Sequence, residues 1–253
     1  MSHPAFASVD HRPWPLPTRP WVLRQTWTRL AFVHWEIDAR WVQERLPPGL
    51  TVDTWGSKAW LALVPFQMHG IAPRGLPPLP GLSAFPEINL RTYVTDGRKP
   101  GIWFYSLDID KTLPAWLAQT LFALPYRVAR IAAENHPSAV RYRETLGAQN
   151  LDATFRAGAR LSAPAGSFAQ WSTERYCLYT ARPEPGTNPI DGQWRPNTLR
   201  RLEVHHPFWP LRRADVEFTA NTMTANLHHP GDRRFPTAFP PFLSIRCRSA
   251  PVS

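Results

Sequence analysis

The sequence predicts a mainly β (α+β) fold with a few short helices, and three observations point there. Its 29 prolines are spread through 253 residues, which leaves few windows long enough for a helix and favours short strands joined by turns. Between the prolines, several runs alternate apolar and polar residues or are apolar throughout, as strands do. Finally, 43% of the residues are hydrophobic and twelve are Trp, enough to fill a large core and too many for a disordered chain. A chain of this length fits one barrel or sandwich, so a single domain over 1–253 is expected, with 1–20 as an extended Pro/Trp-rich lead-in.

Taken in order, Val22 to Trp35 mixes aromatic, β-branched and polar residues and suits a strand. Asp38 is placed to cap a short helix, Ala39 to Leu46, which Pro47-Pro48-Gly49 stops. Leu50 to Thr54 and Ala59 to His69 follow, joined by a turn at Gly56-Ser57 and read as a hairpin; the second run is apolar enough to be buried on both faces. After a Pro/Gly loop, Pro73 to Gly81, the strands Phe85 to Val94 and Gly101 to Asp110 flank a turn at Asp96-Gly97. A helix is expected over Pro114 to Phe122, with a second helical piece after Pro125. Later strands are placed at Ala139 to Thr145, Ala153 to Ala159, Glu174 to Ala181, Leu199 to Val204 and Asp215 to Ala220; the loop Pro183 to Pro196 is the one candidate boundary.

Composition narrows the function classes. The net charge of +10 is almost all arginine, since only Lys58, Lys99 and Lys111 are lysines. Arg200-Arg201, Arg212-Arg213 and Arg233-Arg234 are pairs that meet phosphates in other settings, yet no basic run or nucleic-acid motif accompanies them, so a solvated basic surface is the simpler reading. Two distant cysteines, Cys177 and Cys247, argue against a disulfide framework or a structural zinc site and fit a reducing compartment. No segment has the apolar length of a signal peptide core or a membrane span, so the expected location is cytoplasmic with no membrane partner. His205-His206 and His228-His229 lack metal-ligand spacing, and no GxSxG, Walker or GxGxxG motif is present, so neither a metal nor a cofactor is expected.

The chemistry concentrates on Phe85 to Val94. Side chains alternate along a strand, so Glu87, Asn89, Arg91 and Tyr93 share one face and Ile88, Leu90 and Val94 the other. A half-exposed strand alternates in the same way. A carboxylate, an amide, a guanidinium and a phenol nonetheless resemble a pocket lining more than a solvated face. In such a pocket Arg91 can grip a carboxylate in two-point fashion, and a dehydrated Glu87 exchanges a proton near neutrality; the two can equally pair with each other and be structural. A second alternating run puts Glu174 and Tyr176 on one face and Arg175 and Tyr179 on the other, where it can face the first across a barrel. His34 is a third contributor or simply a core histidine.

Seven segments in order, FVHWEIDARWVQERLPPGLTVDTW, AWLALVPFQM, RGLPPLPGLSAFPEINLRTYV, PGIWFYSLDID, ALPY, STERYCLY and VHHPFWPL, resemble the YqjF-like bacterial family of unknown function, related to acetoacetate decarboxylase. The resemblance implies an acetoacetate decarboxylase-like antiparallel β barrel with a central cavity and flanking helices. In true decarboxylases a cavity lysine in a Gly-Phe-Pro-Lys-Lys motif forms a Schiff base, activated by a neighbouring cation. The matching stretch here is Ala123-Leu124-Pro125-Tyr126-Arg127, so Tyr126 stands where that lysine belongs, with Arg127 beside it, and neither forms an imine. Glu87 falls at the position of the family's cavity glutamate.

Three functions follow as expectations. One is a barrel that binds a small anionic organic ligand without Schiff-base chemistry, Arg91 gripping the anion and Glu87, Asn89, Tyr93 and Tyr126 orienting it. Another is a lysine-independent lyase, hydratase or isomerase with Glu87 as acid/base and Tyr126 or Tyr93 as proton donor. The third, a nucleic-acid or acidic-partner binder, has only the net charge behind it. A homo-oligomer is left open.

Overall fold

The computed structural model describes residues 4–182 and 198–223 and the backbone of 245–247. The run Val22 to Trp35 is extended as expected but broken once: Arg29 takes a positive φ of 54°, splitting it into β1 (Leu23–Thr28) and β2 (Leu30–Ile37), which pair in turn with the long β4 (Ala59–Pro73). Asp38 caps α1 (Ala39–Gln43) by accepting from the Arg40 amide at 2.7 Å. The helix ends three residues earlier than expected. Gln43 turns outward to bond Leu50 and Val52 instead, holding the Pro-Pro-Gly turn against the helix end.

The hairpin expected between Leu50 to Thr54 and Ala59 to His69 does not form. β3 (Thr51–Val52) pairs with β5 (Phe85–Thr95), and only the bridge Trp55 to Lys58 closes the intervening turn. The β5–β6 hairpin is as expected, with β6 spanning Pro100–Ile109. Asp96 nucleates its turn by accepting from the amides of Arg98 and Lys99, and Gly97 supplies the positive φ.

After α2 (Thr112–Phe122) the expected second helical piece is absent. Ala123 ends the helix in the left-handed region, Pro125 prevents its resumption, and the chain runs on as β7 (Tyr126–Val128) and β8 (Arg130–Asn135). Strands β9 (Ala139–Leu146) and β10 (Gln149–Arg160) follow, the latter longer at both ends than expected. The strand expected from Glu174 starts three residues late, because a helix, α3 (Phe168–Thr173), precedes it and takes Glu174 as its C-cap; β11 begins only at Cys177 and runs to Ala181. β12 (Leu199–Glu203), β13 (Leu211–Asn221) and β14 (Ile245–Cys247) complete the set. The loop Pro183 to Pro196, His228-His229 and Arg233-Arg234 lie outside the described residues.

The strands form one curled half-barrel sheet in the order β12-β11-β6-β5-β4-β2-β14-β13-β10-β9-β8, with β1 and β3 added beside β4 and β5, and β7 beside β6. The curl brings β8 back beside β5. Gln67 on β4 and Asn135 on β8 bond each other across the seam at 2.8 Å. Between the two arms lies one core: Leu61, Leu63, Ile88 and Leu90 meet Val140, Tyr142, Leu151 and Phe155. The other face of β4, β5 and β6 builds a second core with β2, α2 and α3, through Phe32, Val64, Phe66, Phe104, Ala115 and Ala169. β5 is therefore covered on both sides, every residue from Glu87 to Val94 being buried.

One irregularity decides what each face carries. Leu90 pairs with Ser106 but Arg91 pairs with Phe104, so Tyr105 is an extra residue in β6, a β-bulge. Below it Leu107 and Ile109 share the face of Ile102 and Phe104, while Asp108 turns toward the space between the arms.

Candidate functional site

Glu87, Asn89, Arg91 and Tyr93 share one face of β5 and point into the second core, not into the core between the sheet's arms. Each is flanked by apolar residues on the neighbouring strands: Phe66 and Ile109 beside Glu87, Val64 and Leu107 beside Asn89, Ala62 and Phe104 beside Arg91. The opposite wall is α3. Its Trp171 ring lies 4.5 Å from Tyr93, and its Phe168 ring 5.0 Å from His34.

Tyr126 enters from β7. Because β7 runs parallel to β6 with Tyr126 opposite Leu107, it falls on the same face as the row, and its hydroxyl donates to Glu87 Oε2 at 3.2 Å. Burial pushes the Glu87 carboxyl up to about 8, with Asp108 pushing the same way and Tyr126 and Asn89 pulling it back. Burial, and then Glu87 itself, hold the Tyr126 phenol well above its ordinary value. At neutral pH this is a pair of proton-bearing groups.

Asn89 lies close enough to stabilise the charged form of Glu87, yet neither atom of its amide completes a well-formed hydrogen bond among the described residues. Arg91 is 4% exposed. Its guanidinium lies over the rings of Phe32 (5.1 Å) and Tyr93 (5.7 Å) and reaches the Ser172 carbonyl at 3.4 Å; Nε has no partner, and no carboxylate pairs with Arg91, among the described residues. Glu87 and Arg91 do not pair with each other. At the end of the row His34 Nε2 and the Tyr93 hydroxyl are 2.7 Å apart.

Six of the eight expected site residues thus share one region: Glu87, Asn89 and Tyr126 at one end, Arg91, Tyr93 and His34 at the other. Glu174 and Tyr176 do not join them. Glu174 caps the C-terminus of α3 and Tyr176 precedes β11, so strand alternation does not apply. They bond one another, and Tyr176 stacks on His206 at 4.6 Å beneath the Arg12 guanidinium, as part of the anchorage of the N-terminal lead-in. Sequence reasoning put Arg175 on the face away from the expected site, whereas it is buried beside Trp171 and Tyr93 and bonded to Asp53 at 2.5 Å. The signal was available: Ser167-x-x-Gln170 is a capping pattern, Ser167 Oγ accepts from the Gln170 amide at 3.2 Å, and the helix it starts puts Arg175 one turn beyond Trp171.

Arg127, next to Tyr126, faces the other way. It holds Asp108 at two points, 2.6 and 2.5 Å, and Gln149 bridges Asp108 (3.2 Å) to Glu144 (2.7 Å). Burial and then Asp108 raise Glu144 to about 9. As for the lysines, Lys58 pairs with Glu36, Lys99 with Glu203, and Lys111 stands at the start of α2. Among the described residues no cluster of His, Cys, Asp and Glu could hold a metal ion, and no helix is long and apolar enough to cross a membrane.

Residues 24–245 match the model of the DUF2071 family, described as an uncharacterized conserved protein. The chain belongs to that family. Within it, the protein is similar to YqjF of Bacillus subtilis, 38% identical over 214 residues that cover 83% of each chain. Among solved structures this DUF2071 chain resembles an acetoacetate decarboxylase from Legionella pneumophila (13% identity, TM-score 0.56, 93% of this chain and 88% of that one). An acetoacetate decarboxylase-like enzyme from Sphingomonas wittichii is similar to the same degree (16%, 0.55, 89% and 88%). The enduracididine biosynthesis enzyme MppR, in a complex with pyruvate, matches at 12% identity and TM-score 0.54 over 80% and 79%. These likenesses establish the acetoacetate decarboxylase-like fold.

Proposed function

We propose that the row on β5 is a ligand site that binds a small organic anion, with Arg91 as its anchor and the Glu87–Tyr126 pair contacting an uncharged oxygen of the same molecule. One observation carries this reading: among the described residues, a buried guanidinium without a carboxylate partner stands two residues from an amide with no well-formed bond. A buried cation is costly unless an anion meets it, and a bound carboxylate would supply that partner to Arg91 while leaving Asn89 an acceptor or donor to bond. The fold neighbours fit, since MppR has been solved with pyruvate, a small organic acid.

On the resemblance to the decarboxylases, Tyr126 stands where their Schiff-base lysine is, so the proposed site works without an imine. Metabolite screening by melting shift tests the proposal: organic acids should raise the melting temperature of the wild type and leave Arg91→Met unmoved. A transition unmoved by every acid would defeat it. Sodium borohydride in the presence of keto acids should leave the mass of the protein unchanged; a trapped adduct would restore Schiff-base chemistry.

A second reading, proton transfer to the bound ligand, rests on Glu87 and Tyr126 at 3.2 Å with the carboxyl raised to about 8. That places a general acid near its working range. Any lyase, hydratase or isomerase turnover found should then be lost in Glu87→Gln.

A further inference from the structure

Arg91 is not the only buried guanidinium at its end of the row. Arg175, 6% exposed, reaches the same Tyr93 ring from α3, its guanidinium carbon 5.0 Å from the centroid where that of Arg91 is 5.7 Å away. Both are held on the last carbonyls of α3, Arg175 Nε on Trp171 at 2.6 Å and Arg91 on Ser172 at 3.4 Å. Each retains a buried nitrogen with no partner among the described residues, Nε of Arg91 and a terminal nitrogen of Arg175. They feel each other as like charges. One carboxylate, Asp53, pairs with Arg175, and its position is fixed because its own amide bonds the Tyr93 carbonyl at 2.9 Å.

From this arrangement we infer that Arg91 and Arg175 together form a two-armed seat for one oxyanion of single charge, a carboxylate and not a phosphate dianion. The inference rests on the ligand site proposed above and adds its second arm and its charge selectivity. The count is short: two guanidiniums and one aspartate leave one positive charge, and Glu87, which burial keeps protonated at neutral pH, does not offset it. A monocarboxylate neutralises that charge, using donors left without a partner among the described residues. A dianion would leave a net negative charge among the rings of Phe32, Tyr93 and Trp171, where water is not at hand to solvate it. Asp53 is then an internal competitor, since it already takes one side of Arg175.

Trp171 supplies the readout, because the Arg175 guanidinium lies 4.5 Å from its ring. Tryptophan fluorescence and melting temperature are followed as acetate, benzoate or inorganic sulfate, a dianion throughout the neutral range, is added at fixed ionic strength. Acetate and benzoate should bind and stabilise the wild type, and sulfate at neutral pH should bind, by fluorescence, at least about tenfold more weakly. Arg91→Met and Arg175→Met should each weaken carboxylate binding about tenfold or more, while Asp53→Asn, which removes the competitor, should tighten it. Asp53→Asn also guards against misfolding in the arginine variants, since a gain in affinity cannot come from damage. If Arg91→Met abolishes binding but Arg175→Met and Asp53→Asn bind as the wild type does, the second arm is overturned and the ligand site stands. Sulfate binding as tightly as benzoate overturns the charge selectivity. If no carboxylate binds the wild type, the site and the seat fall together.

Discussion

Tyr126 and Arg127 are neighbours in the chain, and each points at a buried acid on a different face of the same sheet. On the Arg127 side the charges close within the protein: Asp108 has a two-point cation, Gln149 bridges it to Glu144, and the proton held by Glu144 leaves the group close to neutral, although Glu144 Oε2 completes no well-formed hydrogen bond among the described residues. On the Tyr126 side Glu87 has only uncharged partners, and the cation on its face, Arg91, has no carboxylate of its own among the described residues. The same residue types thus serve two ends. A cluster whose charges close internally ties strands together, whereas one left open is what the proposed ligand would complete.

The largest effect expected from breaking this contrast is at Arg127. Replacing it with methionine leaves Asp108, which is fully buried, without its cation, and should lower the unfolding free energy by about 3 kcal/mol or more in denaturant titrations. If the loss is negligible, the Arg127 cluster is not the closed one.

Next comes the pH profile. The folded-state value of Glu87, about 8, lies above the ordinary 4.5, so the folded chain holds this proton more tightly than the unfolded one. Stability from the group is complete below 4.5 and is lost as the pH rises through 8. Between about pH 6 and about pH 9 the wild type should lose roughly 2–4 kcal/mol more than Glu87→Gln, whose side chain copies the protonated acid. Glu144, at about 9, should release its proton later, so the fall that remains in Glu87→Gln should disappear when Glu144→Gln is added.

A smaller change, of opposite sign, is expected at Arg91. Removing a buried cation that lacks a counter-ion should leave stability unchanged or raise it by about 1 kcal/mol, as Arg91→Met in the same titrations would show. A loss as large as that at Arg127 would erase the difference between the two faces. Smallest is Tyr126→Phe, which gives up one hydrogen bond, about 1 kcal/mol, and should move the Glu87 carboxyl further up when followed by NMR.

The sequence carried part of this picture. The alternation in Phe85 to Val94 places the row on one face whatever surrounds it, because side-chain direction in a strand is local. Whether that face is wet or dry is not local: it depends on α3, eighty residues away in sequence, laying Phe168 and Trp171 over it. The hairpin at Asp96-Gly97 was legible because its turn is held by its own residues. The split at Arg29, the pairing of β3 with β5 and the parallel β7 were not, since each is settled by a partner strand and not by propensity. Arg175 was misplaced for the same reason as Glu174 and Tyr176: period-two alternation was read through the cap of a helix and the short link from it to β11.

The extra residue at Tyr105 has a consequence of its own. Strict alternation down β6 would set Asp108 on the face of Ile102 and Phe104, next to Glu87; the bulge reverses the parity and sends Asp108 to Arg127 instead. The charge of the proposed ligand site is therefore fixed by arithmetic upstream of it, odd or even. Shortening β6 by that single residue would crowd two carboxyl groups onto one face and strand an arginine on the other, opening the closed cluster without altering any residue in it.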